Sequence, residues 1–346
     1  MDGGKLEWGS GGLAALFAQR RNLGSPSFLA MLRDVVRFGR EAPQALRPEA
    51  AARYASATLR DFLAEKRYSP AFVRHYVLPM CAAVWSVPAA AVMDFPLLRL
   101  LRFWANHHLL DIFQRPRWRV VKGRSRTYVD RILAELPDVR TSCPVTSVTP
   151  AAAPGGPVVV IAAGGREEEY DSVLLATHAD VSLRLLGGAG AGARLPAAAA
   201  VLAAVPYAEN DVWLHSDPAL MPRARATWSA WNCLARSAPG ADRDAVCVSY
   251  WVNRLQALPP GAPDLFVTLN PPSPPAAGTV FRHLTLAHPV FSFEASAAQA
   301  ALPSVQGGGG VFYAGAWAGD GFHEDGLRAA VAAVEAMGKL GIAPGA

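Results

Sequence analysis

Apolar and polar positions alternate at helical spacing through roughly the first third of the chain. Leu13, Leu16 and Phe17 share one side of a segment over 11–22 that ends in Arg20 and Arg21, which predicts an amphipathic helix. Gly24-Ser-Pro-Ser27 breaks it and places Ser25 or Ser27 to cap a second helix carrying Phe28, Leu29, Leu32, Val35, Val36 and Phe38. A third is predicted over 50–66 with Tyr54, Leu59, Phe62 and Leu63 inward. Ser69-Pro70 opens a fourth, since proline is tolerated at the first helical position, and Asp94-Phe-Pro96 restarts the chain into a helix reaching Leu110.

Arg117-Trp-Arg-Val-Val-Lys-Gly123-Arg-Ser-Arg-Thr-Tyr128-Val resembles the re-entry motif of the FAD-dependent amine oxidase superfamily, which implies a strand before Gly123 and then a helix with Tyr128, Ile132, Leu133 and Leu136 on its inner face. Residues 145–148, 158–162 and 170–177 read as strands, with a polar hairpin at 164–169. An alanine- and glycine-rich stretch to 204 predicts two helices. Strands are then predicted over 211–216, 226–231, 245–252, 265–269 and 280–286, forming an antiparallel sheet with aromatic residues on one face. Near the C-terminus, 311–314 is a short apolar strand, followed by Gly315, Gly319 and Gly321 and by a helix whose Leu327, Ala330, Val331, Val334 and Met337 form one stripe, closed at Gly338. A strand, a glycine-rich turn and a helix start together present free amides and the positive end of a dipole, the arrangement of a ligand-facing turn.

Composition narrows the class. At 346 residues the chain can bury one large or two ordinary cores. Cys81, Cys143, Cys233 and Cys247 show no metal-ligand spacing and read as buried residues of a reducing compartment; no metal site is expected. No apolar run is long enough to span a membrane, and the N-terminus has no targeting pattern, so the cytoplasm is expected, or an organelle if a targeting segment once preceded Met1. The net charge of +5 is uneven: residues 1–140 hold 22 Lys and Arg against 12 Asp and Glu. That basic half suits an anionic surface or substrate, whereas no nucleic-acid motif is present. His107 and His108 close a helix, where histidines cap carbonyls.

The segment Gly315-Ala-Trp-Ala-Gly-Asp-Gly-Phe-His-Glu-Asp-Gly326-Leu resembles the C-terminal flavin-contacting motif of the FAD-dependent amine oxidase and phytoene desaturase superfamily, and within it the branch associated with cyclopropane-fatty-acyl-phospholipid synthases. The stretches 69–86, 117–129, 215–222, 228–232 and 270–272 match the same branch, and the likeness runs from Leu6 to Gly338. The resemblance implies an α/β fold: an incomplete FAD/NAD(P)-binding Rossmann-like domain, from 116–182 and 308–346, interleaved with a substrate domain of helices (1–115) and antiparallel sheet (183–307). It implies FAD contacts at Gly315, Gly319, Gly321, Phe322, His323 and Gly326, with Val145 and Thr177 beside the dinucleotide. His323 and His215 are its acid/base candidates, and hydride transfer from an organic, acyl-lipid-like substrate to the flavin is the implied reaction. A functional link to a cyclopropane-fatty-acyl-phospholipid synthase is implied as well.

Two departures bear on activity. Ala316 stands where many superfamily members carry an acidic residue for the ribityl chain, and Arg124 replaces the second glycine of the re-entry motif. The sequence also contains no Gly-x-Gly-x-x-Gly, the turn that holds a dinucleotide pyrophosphate, which suggests N-terminal truncation and impaired FAD binding. The alternatives are a non-catalytic binding or scaffolding fragment with an apolar pocket, and a peripheral lipid-binding protein. Nine tryptophans lead to the expectation of an apolar pocket between helices and sheet, lined by Trp85, Phe103, Trp104, Trp213, Trp228, Trp231 and Trp251.

Overall fold

Helices and strands sort into two units, each built from two stretches of chain: Met1–Arg131 with Ala208–His288, and Ile132–Tyr207 with Pro289–Ala346. The computed structural model describes residues 5–85, 89–111, 116, 118–187, 194–235 and 246–342. Among them helix and sheet are mixed, and no helix is long and apolar enough to cross a membrane.

The first helix is shorter than the periodicity predicts. Only Leu13–Leu16 is α-helical, and a 3-10 turn follows over Arg20–Gly24. Helix α1 (Pro26–Ala45) begins where Ser25 accepts a hydrogen bond from the Phe28 amide. The predicted 50–66 helix is interrupted, because Thr58 and Asp61 form a reciprocal capping box that starts α2 (Leu59–Glu65) afresh. From Pro70 the chain is continuously helical, but Val73–Val77 is π-helical before α3 (Leu78–Trp85). Pro79 has no amide to donate, which favours a local shift of the ladder there. Helix α4 (Leu97–Asn106) closes this part, and Ser86 of the matched segment lies outside the described residues.

Phe38 is the hub of these helices. It is 1% exposed and packs on Phe62, Tyr68, Phe72 and Trp104 at ring separations of 5.4–6.2 Å. One turn earlier, Asp34 is fully buried and accepts the Ser69 amide at 2.8 Å, with Arg33 and Arg37 beside it. Burial works to raise the Asp34 carboxyl, but the Ser69 and Arg33 hydrogen bonds hold it below its ordinary value.

Of the strand expected before Gly123, the described residues 118–121 form none, and Trp118, Val120 and Val121 are exposed. Helix α5 (Arg124–Glu135) follows with no buried residue, so the side expected to face inward lies open: Tyr128, Ile132, Leu133 and Leu136 are 37–55% exposed. In the second unit β1 (Val145–Thr149), β2 (Val158–Ala162) and β3 (Glu167–Tyr170) form an antiparallel meander, with Val148 opposite Val160 and Val158 opposite Tyr170. Strand β4 (Val173–Leu175), α6 (Ala179–Leu185) and α7 (Pro196–Ala203) come next.

Back in the first unit, β5 (Tyr207–His215), β6 (Trp231–Ala235), β7 (Val246–Trp251), β8 (Phe266–Leu269) and β9 (Val280–Pro289) make one sheet in the order β6-β7-β8-β5-β9. The strand predicted over 226–231 is instead a 3-10 turn, with β6 beginning at Trp231. In the second unit α8 (Phe293–Ala301), β10 (Val311–Tyr313) and α9 (His323–Lys339) complete the chain, and β10 pairs with β4 in parallel.

The tryptophans do not gather round one pocket. Trp85 packs on Phe95 and Phe103, Trp104 on Phe38 and Tyr76, Trp213 on His283, and Trp228 on Trp251 and Phe266. Trp231 belongs to a further cluster with Ala82, Ala83 and Val248. Each ring is used to fill the space between its own helix or strand and the nearest neighbour, which disperses them. Because four aromatic rings rest on Phe38, Phe38→Ala is expected to cost about 3–5 kcal/mol of unfolding free energy, measured by urea denaturation.

Candidate functional site

The glycine turn grows directly out of the β4–β10 pair. Val311, Phe312 and Tyr313 lie opposite Val173, Leu174 and Leu175, and the Ala314 amide extends the register to the Leu175 carbonyl at 3.0 Å. Trp317 then donates its indole N–H to the carbonyl of Thr177 at 3.1 Å, fastening the turn to the chain leaving β4. The Thr177 hydroxyl lies 2.8 Å from that of Ser182 in α6. Thr177 is thus beside the turn, with both its carbonyl and hydroxyl engaged.

Two glutamines complete the frame. Gln306 accepts the Tyr313 amide at 2.9 Å and donates to the Tyr313 carbonyl at 2.8 Å, so one side chain satisfies the outer edge of β10 as a strand would. Gln299 donates to the carbonyls of Trp317 and Gly319 at 2.6 and 2.9 Å. Their spacing of seven residues is visible in the sequence, but their partners are backbone atoms, which no motif reveals.

The four glycines differ in what they do. At Gly315 a Cβ would stand 2.6 Å from the Trp317 ring, and at Gly319 it would stand 2.5 Å from the Asp325 carboxylate. Both are required by packing inside the turn. Gly321 has φ +93°, and a Cβ there would meet nothing nearer than Phe291 at 3.6 Å. Here backbone conformation, and not crowding, selects glycine, and one side of the residue is open. At Gly326 a Cβ would make only ordinary contact with Ala316.

The helix start is occupied from within. Asp325 accepts the Phe322 amide at 3.0 Å, and Glu324 pairs with Arg328 at 3.2 Å. Two carboxylates in the first turn already balance the positive dipole end, so this turn is suited to an uncharged hydrogen-bonding edge more than to a phosphate. His323 is exposed at the same end. A groove of about 670 Å³ runs between α8 and α9, with Gln299, Gln306, Gly319, Asp325 and Arg328 on its walls. Val145 begins β1, is 39% exposed and pairs with Ala162 beside a bulge.

His215 belongs to the first unit. It is fully buried at the end of β5, where its Nδ1 accepts the Asp217 amide at 3.1 Å. That fixes the proton on Nε2, which donates to the Thr268 hydroxyl at 2.7 Å. Thr268 in turn donates to Ser249 at 2.7 Å, and Ser249 to the Leu220 carbonyl at 2.8 Å. Both ring nitrogens are thus engaged, by the sheet on one side and by the turn that follows β5 on the other.

No family model matches the sequence, and no curated protein sequence matches it. Solved structures do. A putrescine oxidase variant made for a structure-based redesign of cofactor binding superposes with a TM-score of 0.56 at 13% identity, covering 90% of this chain and 76% of that one. Wild-type putrescine oxidase bound to putrescine gives 0.55 at 12% identity, covering 91% and 76%. A conjugated-linoleic-acid-producing fatty acid isomerase from P. acnes gives 0.54 at 10% identity, covering 91% and 75%. The likeness is one of fold. It extends over nearly all of this chain and leaves about a quarter of each neighbour unmatched.

Two measurements test these assignments. Gly319→Ala would expel the Asp325 carboxylate from its capping position and is expected to cost about 1 kcal/mol or more of stability. The same substitution in an Asp325→Ala background is expected to cost less, as a double-mutant cycle followed by thermal melting will read. For His215, burial depresses the imidazole below its ordinary value, against a smaller opposing effect of Asp217. The unfolded chain therefore takes up a proton near pH 6.5 that the folded chain refuses. The contribution is fully present above that pH and is lost as pH falls through it. Wild-type stability is expected to drop more steeply than that of His215→Gln between neutral and mildly acidic pH, in urea titrations of both proteins.

Proposed function

We propose that the chain is a flavin-dependent oxidoreductase of amine-oxidase type, in which the turn from Gly315 to Gly326 meets the flavin ring. The observation that carries this reading is Gly321: its positive φ holds the backbone open on one side, between a strand end braced by two glutamines and the start of a helix. The fold shared with putrescine oxidase and a fatty acid isomerase supports it. When bound, a flavin supplies hydride acceptance. The residues here supply position: the Gly321 amide is held by the Ala316 carbonyl, which fixes the turn and leaves the first turn of α9 to face the ring edge, with Val145 and Thr177 toward the dinucleotide. His323, exposed at the helix start, is the remaining acid/base candidate. The substrate is proposed to be an organic, acyl-lipid-like molecule, and the protein to act alongside a cyclopropane-fatty-acyl-phospholipid synthase.

The residues present fit a flavin ring edge and do not fit a pyrophosphate. That group carries two negative charges and needs a glycine-rich turn at a helix start free of acids, whereas Glu324 and Asp325 fill the only helix start at this turn. FAD is therefore proposed to bind this 346-residue sequence weakly, with impaired turnover. Among the described residues strand β4 is paired on one side only, by β10, whose other edge Gln306 and the Gly307 amide already satisfy. A strand carrying Gly-x-Gly-x-x-Gly would add beside β4.

Absorbance between 350 and 500 nm tests the proposal. The chain as given is expected to purify nearly colourless and, joined at its N-terminus to a strand–glycine turn–helix segment, to become yellow. Gly321→Asn in the joined protein tolerates the positive φ while filling the open side, so flavin is expected to be lost with the circular dichroism unchanged. Retention of full colour by that variant would remove the turn from the site.

A further inference from the structure

Four large apolar side chains near the N-terminus stand in solvent: Leu13, Leu23, Leu29 and Val36, at 76%, 57%, 45% and 39% exposure. The core does not use them. On α1 the buried side is Phe28, Met31, Phe38, Ala42 and Ala45, while Leu29, Arg33, Val36 and Arg40 recur at steps of four, three and four on the opposite side. Apolar and basic residues therefore alternate along one exposed stripe, and the 3-10 turn before it adds Arg20, Arg21 and Leu23.

The charge on this face is neutralised only in part. Residues 13–45 hold five arginines and two acids. Asp34 is buried and takes Arg33 at 3.2 Å together with the Ser69 amide, and Glu41 is held by Arg37 and the Tyr68 hydroxyl. Arg20 and Arg40 have no ion-pair partner among the described residues. A polyanionic groove would satisfy the arginines but strand the leucines. A protein patch would cover the leucines but would have to desolvate arginines interspersed among them. A bilayer surface takes both, because guanidinium groups stay at the phosphates while short apolar side chains reach the acyl boundary.

We propose that the outer stripe of α1 and the turn before it form a docking surface for an anionic phospholipid bilayer. The chain lies on that surface, since no described helix can cross it. The proposal is independent of flavin binding.

Co-sedimentation of the full chain with sucrose-loaded vesicles tests it, comparing phosphatidylcholine alone with phosphatidylcholine containing phosphatidylserine. Binding is expected on the anionic vesicles and is expected to weaken as salt is raised. Each exposed arginine near such a surface contributes about fivefold in partition, so Arg20→Gln with Arg40→Gln is expected to lower binding by about 25-fold. Leu23→Ser with Leu29→Ser is expected to weaken it further at unchanged melting temperature, because both side chains are solvent-exposed. Absence of binding to anionic vesicles at low salt would overturn the proposal. So would equal binding to neutral vesicles, or a loss produced by Arg126→Gln with Arg131→Gln on α5 but not by the α1 pair.

Discussion

The second unit depends on a parallel pairing only three residues long. Strands β4 and β10 come from distant parts of the sequence, and parallel strands occur almost only where both faces are covered. Much of that cover is visible. One face carries the cluster of Val148, Val158, Leu175, Leu202, Val311 and Tyr313, joining the meander and helices α6 and α7 to the pair. The outer edge of β10 is closed by the Gln306 side chain on Tyr313 and by the Gly307 amide on the Val311 carbonyl. The glycine turn inherits its geometry from this alignment: Ala314 and Trp317 both reach back to the chain leaving β4, so a slip of one residue would misplace the whole turn.

The polar groups inside both units serve mainly to satisfy backbone. Glu7, 5% exposed, accepts the amides of Arg223 and Ala224 at 3.0 and 2.8 Å, and Asp34 accepts Ser69. Gln299 and Gln306 do the same for carbonyls and strand edges of the turn. A buried polar side chain without such a partner costs about 1–3 kcal/mol, so these residues are tied to folding before any chemistry is considered. His215 belongs with them. Its ring nitrogens join Thr268 of β8 to the backbone amide of Asp217, just beyond the end of β5.

Where local signals were strong the sequence was readable. Ser25 and Ser69 cap helices as their neighbours predicted, and the final strand, turn and helix lie within a residue or two of the expected positions. Two kinds of feature were not. Interruption of a helix depends on competition between caps, as Thr58 shows inside the 50–66 pattern, and apolar periodicity does not record that competition. Nor does periodicity say which side of an apolar arc is covered. On α9 the buried residues are Ala333 and Met337, whereas Leu327, Val331 and Val334, expected inward, are 60%, 49% and 40% exposed. The tryptophans mislead for a related reason, since counting large rings gives no information on whether they converge.

That exposed flank of α9 and the singly paired β4 are both in the second unit, and on the flavin reading they are two parts of one requirement. A strand added beside β4 would bring its following helix or turn across a neighbouring face of the sheet, where uncovered apolar side chains are the usual mark of a contact surface. Covering a large aliphatic side chain contributes about 1.5–3 kcal/mol when complete, and the three on α9 are already partly covered, so their burial would add on the order of a few kcal/mol. Holding a pyrophosphate on a helix start draws on the same segment. Cofactor binding and coverage of this flank would then be thermodynamically linked, each stabilising the other through one docked element. The turn at Gly321, by contrast, is assembled already, because its geometry comes from β4, β10 and two glutamines that are present in the chain. On the flavin reading, the ring-edge contact is therefore preformed independently of what holds the rest of the dinucleotide.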